Sequence, residues 1–138
     1  MKKLSVIQGV TAVVLVSLVS FLTLFTTSCN VSTANLSDVK LCSSLSGNTC
    51  GEDVTKFGSD VSAIHCTANL NNAPAKTKVM FNWKKDGEGI GNAEVEAESG
   101  YVSSTFTPSE PMPPGKYSVT VKIETDNSKP VTKEFVVE

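Results

Sequence analysis

Period-two alternation of apolar and polar residues, recurring from about Ser62 to the C-terminus, is the feature that most restricts what this chain can fold into. In Tyr117, Val119, Val121 and Ile123 every second residue is apolar, with Lys116, Ser118, Thr120 and Lys122 between them. Successive side chains of a strand point to opposite faces, so such a segment buries one face of a sheet and wets the other. The same pattern puts Ile64, Cys66, Ala68 and Leu70 on one face of a strand and His65, Thr67 and Asn69 on the other. Val79, Phe81 and Trp83 likewise alternate with Lys78, Met80, Asn82 and Lys84, which predicts an aromatic core face and a wet outer face. After residue 28 no long segment has helical period, and strands recur every 10 to 15 residues. That spacing predicts an all-β sandwich.

Turn chemistry separates the strands. Asp86-Gly87-Glu88-Gly89 marks a turn, and a hairpin centred near Gly89 would set Trp83 against Val95 and Lys84 against Glu94. Gly87, Gly89 and Gly91 are turn glycines on this reading, not a phosphate-binding loop, which lies between a strand and a helix. Val102, Ser104 and Phe106 form a further strand before Pro108, Pro111, Pro113 and Pro114, which together exclude a central strand there. Asp126-Asn127-Ser128 turns the chain into a last strand of Val131, Phe135 and Val137. Lys133 interrupts its apolar face, so a bulge or an open end is expected.

The N-terminus carries a different signal. Lys2 and Lys3 precede an apolar run from Val10 to Phe25 and then Thr26-Thr27-Ser28-Cys29, the parts of an export signal. The cysteine after small residues resembles the lipobox of bacterial lipoproteins, although Thr26 stands where that motif usually has Leu. The resemblance implies a signal peptide over residues 1–28 and a diacylglyceryl group on the Cys29 sulfur. It implies no Asp-type retention signal, since Asn30 follows the cysteine, and so favours the outer membrane of the cell envelope over the inner. The other readings are an uncleaved membrane helix over Leu4 to Phe25, about as long as a bilayer requires, and a glycosylated secreted chain with acceptors at Asn30 and Asn35. Residues 29–41 read as a polar, lipid-anchored linker and residues 42–138 as the domain.

Residues 29–138 suffice for one core and leave no room for a second domain. All 12 basic residues are lysine, and without Lys2 and Lys3 the remaining ten face 14 carboxylates, a net charge of −4. An acidic chain with no guanidinium fork for phosphates or base edges excludes nucleic acid as the expected partner. If Cys29 is lipidated, Cys42, Cys50 and Cys66 remain, and an exported chain meets oxidising conditions. Cys42 and Cys50 flank a flexible polar stretch and are the favoured disulfide, with pairing of either to Cys66 left open.

Cys66 on one strand, followed 17 residues later by Trp83 on the next, resembles two core strands of an immunoglobulin-like domain. Gly115-Lys116-Tyr117-Ser118-Val119 resembles the entry to a later strand of that fold, where a tyrosine hydroxyl bonds the backbone at a corner. The resemblance implies a single immunoglobulin-like or fibronectin-like antiparallel sandwich of about seven strands. Val119 occupies the position of the family's second core cysteine, so Cys66 is expected as a buried thiol packed against Trp83.

Among reactive groups, His65 and Cys66 are neighbours on a strand and point apart, which disfavours nucleophilic catalysis by that pair. Glu94, Glu96 and Glu98 read as a solvated face, not as a cation site. The outward row Lys78, Met80, Asn82 and Lys84, with Met112 in the proline-rich loop, is a candidate contact surface. The expected function is a non-catalytic binding or structural module on a membrane, presented to an envelope protein, with no cofactor or metal. The alternatives are a thiol or redox protein, which requires an accessible cysteine, and a carrier of a small glycan or peptide, which requires an exposed Trp83.

Overall fold

A computed structural model describes residues 33–125 and 128–138. Cys29 and the signal segment 1–28 lie outside the described residues, as do Asp126 and Asn127 of the last turn. The described chain has eight strands and no helix: β1 (Asn35–Cys42), β2 (Lys56–Phe57), β3 (Ile64–Asn71), β4 (Thr77–Lys85), β5 (Glu88–Ala97), β6 (Gly100–Phe106), β7 (Gly115–Ile123) and β8 (Val131–Val137). They form a three-stranded sheet of order β1-β3-β6 and a five-stranded sheet of order β2-β8-β7-β4-β5. Every pairing is antiparallel except β2 with β8.

The predicted alternation is what fills the core. Ile64, Cys66, Ala68 and Leu70 from β3 meet Val79, Phe81 and Trp83 from β4, with Tyr117, Val119, Val121 and Ile123 from β7, in one buried cluster. Trp83 is 2% exposed, which removes the aromatic that a carrier on its sheet would use. Its indole N–H donates to Ser104 Oγ on β6 at 3.2 Å, joining the two sheets through a buried hydrogen bond. Phe135 from β8 stacks on Tyr117 with centroids 5.3 Å apart and meets Trp83 edge-on at 6.3 Å.

Residues 29–41 are not a linker throughout, because from Asn35 onward they pair with β3 as β1. A bulge concealed this strand. Ser37 pairs with Asn69 and Lys40 with Thr67, so Asp38 and Val39 share the place opposite Ala68. Leu36 and Leu41 are five residues apart and would face opposite ways in a regular strand, yet the extra residue lets both pack on the core. The domain therefore begins before Cys42. β2 was hidden for a simpler reason: two residues are too few to show a period.

The β4–β5 register also differs from the expected one. Val79, not Trp83, pairs with Val95, Met80 pairs with Glu94, and Trp83 faces Gly91. The connection is two residues long, with Asp86 at φ 49° and Gly87 at φ 87°. Two positive φ values make a type I′ turn, whose twist matches the strands, and it closes between Lys85 and Glu88. Gly89 and Gly91 consequently lie inside β5, with a register shift between Trp83 and Lys84. Lys133 causes no bulge: β8 runs in continuous register with β7.

Met112 does not sit on the surface. The proline-rich loop folds over one end of the core, the Met112 N–H donates to Ser59 O at 2.9 Å, and the side chain is 3% exposed. The same loop receives the Tyr117 hydroxyl, which donates to Pro113 O at 2.8 Å, the backbone corner bond that the sequence resemblance implied. Tyr117→Phe removes this bond and keeps the ring. It is expected to lower the unfolding free energy by about 1 kcal/mol, the typical net contribution of such a bond, in urea titrations read by Trp83 fluorescence.

Candidate functional site

Lys78, Met80, Asn82 and Lys84 stand on the outer face of β4, as alternation requires, with Lys78 and Lys84 exposed and Met80 and Asn82 half-buried. Their cross-strand neighbours on β7 are Lys122, Thr120 and Ser118, and Met80 also faces Glu94 on β5. Lys78 Nζ lies 3.0 Å from Glu94 Oε1, a bond that raises the lysine pKa and ties up the first member of the carboxylate row. The row is thus a charge-laced sheet face with a methionine near its middle. Its exposed ion pairs add little to stability.

Cys42 and Cys50 form the disulfide, with Cα atoms 5.6 Å apart. Cys42 is the register partner of His65, so the bridge lies on the outer face of β3, opposite to inward-facing Cys66. The loop it closes covers Thr67: the Cys50 N–H donates to Thr67 Oγ1 at 3.3 Å, and Thr67 is 1% exposed. His65 faces the same way, with Nδ1 2.8 Å from Thr105 Oγ1.

Cys66 is a fully buried free thiol within the same core cluster as Trp83. Burial in apolar surroundings, reinforced by the Asp53 charge and opposed by Lys133, pushes its pKa up to about 12. That shift is opposite in direction to the depressed values that reactive cysteines need.

Sequence reasoning missed an ion pair at the open end of the core. Asp53 Oδ1 accepts the Leu41 N–H at 2.9 Å, and Oδ2 pairs with Lys133, the lysine that interrupts the apolar face of β8. Burial pushes the Asp53 carboxyl up, but the bonds from Lys133 and Leu41, with the charges of Lys133 and Lys40, outweigh it and hold the pKa below the ordinary 3.8. No alternation signal reports a pairing across 80 residues of chain.

Sequence reasoning also passed over the outer face of the three-stranded sheet. Tyr101 on β6 is 49% exposed, and its hydroxyl donates to Asp38 Oδ2 on β1 at 3.2 Å. Beside it, Asn71 Nδ2 donates to Asn35 Oδ1 at 3.1 Å and Ser37 Oγ at 2.9 Å, and Asn69 Nδ2 donates to Asn71 Oδ1 at 3.1 Å. The alternation of Tyr101, Ser103 and Thr105 with Val102, Ser104 and Phe106 carried this placement in the sequence. Elsewhere, an open depression of about 660 Å³ borders Lys56, Lys116, Asp86 and Glu134, whose charges balance. Among the described residues no three metal-ligating side chains converge.

No protein-family model matches the chain, and no curated protein matches it. Among solved structures, a superoxide reductase (neelaredoxin) from Ignicoccus hospitalis aligns over 62% of this chain and 76% of that chain at 13% identity, with a TM-score of 0.41.

Two outcomes are expected from this geometry. Replacing Cys42 and Cys50 together by serine should lower stability by about 2–3 kcal/mol, the loop-closure value for so short a ring, while native Cys66 resists iodoacetamide and reacts only after urea unfolding, as read by intact mass. The depressed Asp53 pKa contributes stability that is present above the unfolded value and is lost as pH falls below about 4. Asp53→Asn should therefore flatten the acid limb of the stability profile measured by urea unfolding.

Proposed function

We propose that this chain is an exported lipoprotein, acylated at Cys29 and held on the outer membrane, whose immunoglobulin-like domain acts as a non-catalytic binding or structural module in the cell envelope. The observation that carries the non-catalytic reading is the sealed state of Cys66, the chain's free thiol among the described cysteines. A thiol redox protein needs an accessible thiolate or an exchangeable pair. Here the thiol faces the core and the disulfide the opposite face of β3, so the two do not meet for exchange.

The immunoglobulin-like assignment is supported by strand order and by one bond. In that fold the first, second, fourth and fifth strands share one sheet and the third, sixth and seventh the other. β1, β3 and β6 facing β4, β7 and β8 match that order apart from the fourth strand, since β5 pairs with β4 on the larger sheet, and β2 adds a further edge. The Tyr117 corner at Pro113 fits the same fold. The lipid anchor is supported by the Lys2-Lys3, apolar and Ser28-Cys29 sequence alone, and more than one acyl chain makes membrane attachment stable.

The intact mass of protein purified from membranes tests the anchor. Residues 29–138 plus acyl chains are expected, with the added mass lost in Cys29→Ser; an unmodified full-length mass rejects lipidation. Density fractionation of the membranes then places the protein, and recovery with the inner membrane rejects the assigned address. For the contact surface, a photo-crosslinker attached at Met80→Cys is expected to give a discrete adduct with an envelope protein in intact cells, and its absence at every labelling level rejects that surface.

A further inference from the structure

We propose that the outer face of the β1-β3-β6 sheet binds a neutral glycan, with the Tyr101 ring as the stacking platform and the neighbouring amides and hydroxyls as its hydrogen-bonding partners. This deepens the binding-module reading by naming a ligand class, and it rests on that reading only for its biological context.

The argument starts from reach. β3 lies between β6 and β1, so the Tyr101 hydroxyl reaches Asp38 only by laying its ring across the intervening strand. Tyr101 is the register partner of Asn69, over which the ring must pass. A tyrosine standing upright from β6 would not make this bond. The ring is therefore held along the sheet with its upper face in solvent, 49% of the residue being exposed.

The other end of the bond is built by an unusual piece of backbone. Asp38 occupies the extra position of the β1 bulge at φ 49°, a conformation that L residues other than Asn and Asp seldom adopt. The bulge turns the carboxylate outward, where it meets both Tyr101 and Lys40, whose Nζ lies 3.1 Å away. Non-glycine positive φ at such a point indicates a placement that the surrounding structure maintains. Here it fixes an aromatic ring in advance, which reduces the ordering cost of binding.

The chemistry around the ring selects the ligand. Asn35, Ser37, Asn69 and Asn71 form a linked row of amides and a hydroxyl beside it. Its two charged neighbours, Asp38 and Lys40, neutralise each other. An aromatic face carries negative potential and attracts the weakly positive C–H groups of a sugar ring. Planar amides offer a donor and an acceptor side by side, matching adjacent sugar hydroxyls. A nucleobase would also stack on the ring. With one lysine, already paired, and no arginine in the chain, nothing answers a phosphate backbone.

The test uses the full chain in a non-glycosidic detergent on an array of neutral and N-acetylated oligosaccharides, with the strongest hit titrated by calorimetry up to millimolar ligand. The expected result is binding that falls at least tenfold in Tyr101→Ala, falls less than threefold in Tyr101→Phe, and is unchanged in Ile90→Ala, an exposed position of β5 on the opposite sheet. Thermal unfolding of each variant separates lost binding from lost folding, and Asn69→Ala, expected to weaken binding severalfold, serves if Tyr101→Ala does not fold. Absence of binding to every arrayed glycan overturns the proposal. So does glycan binding indifferent to Tyr101 and Asn69, or binding of single-stranded DNA in preference to any sugar. None of these readouts depends on the state of Cys29, so failure of the lipid anchor and failure of the glycan site are seen separately.

Discussion

The buried hydrogen bond between the Trp83 indole and Ser104 is the interaction on which the arrangement of the two sheets turns. An indole N–H removed from water without a partner costs roughly 1 to 3 kcal/mol, and this one lies between a strand of one sheet and a strand of the other. Satisfying it fixes how β4 faces β6. The large rings then follow: Phe106 lies 5.6 Å from Trp83 on one side, and Phe135 closes the other before stacking on Tyr117. Opposite Trp83 in the sheet stands Gly91, where an added Cβ would come to ordinary contact distance from the Phe106 ring. Small residues on β5 and large ones on β4 thus share the space along this side of the core.

Much of this was legible in the sequence, and the illegible parts have a common cause. Alternation gave the inward faces of β3, β4, β6, β7 and β8 because each keeps a regular period and turns its apolar residues to one side. It failed where the period itself is broken. The bulge at Asp38 shifts β1 by one residue, and in the β4–β5 hairpin the turn at Asp86-Gly87 sets a register that charge matching alone could not choose. Lys84 facing Glu94 and Met80 facing Glu94 both give alternating faces, so only the φ demands of the turn decide between them.

Long-range pairing was invisible for another reason. Lys133 on a strand's inward face reads as an error in the pattern, yet it is answered by Asp53 from the distant loop after the disulfide. Met112 reads as a loop residue among prolines, yet prolines that cannot join a sheet can still hold a loop across the end of a core. In both cases the partner is supplied by topology, which no local pattern contains. The disulfide was within reach of sequence because its two cysteines are neighbours in the chain.

The two outer faces now differ in kind, and the difference follows from how each is covered. On the five-stranded sheet, Lys78 of β4 pairs with Glu94 of β5, and Lys122 of β7 pairs with Glu124 just past the strand's end, exposed pairs that water already satisfies and that salt screens. On the three-stranded sheet, one end is roofed by the Cys42–Cys50 loop, which buries Thr67. At the other end, among the described residues, the charges cancel, the amides bond one another and a tyrosine lies along the sheet. A folded chain of net acidic charge has no electrostatic need for a neutral patch of this composition. Its bulge, with Asp38 at positive φ, makes sense as the means of holding one aromatic ring level at that end of the sheet.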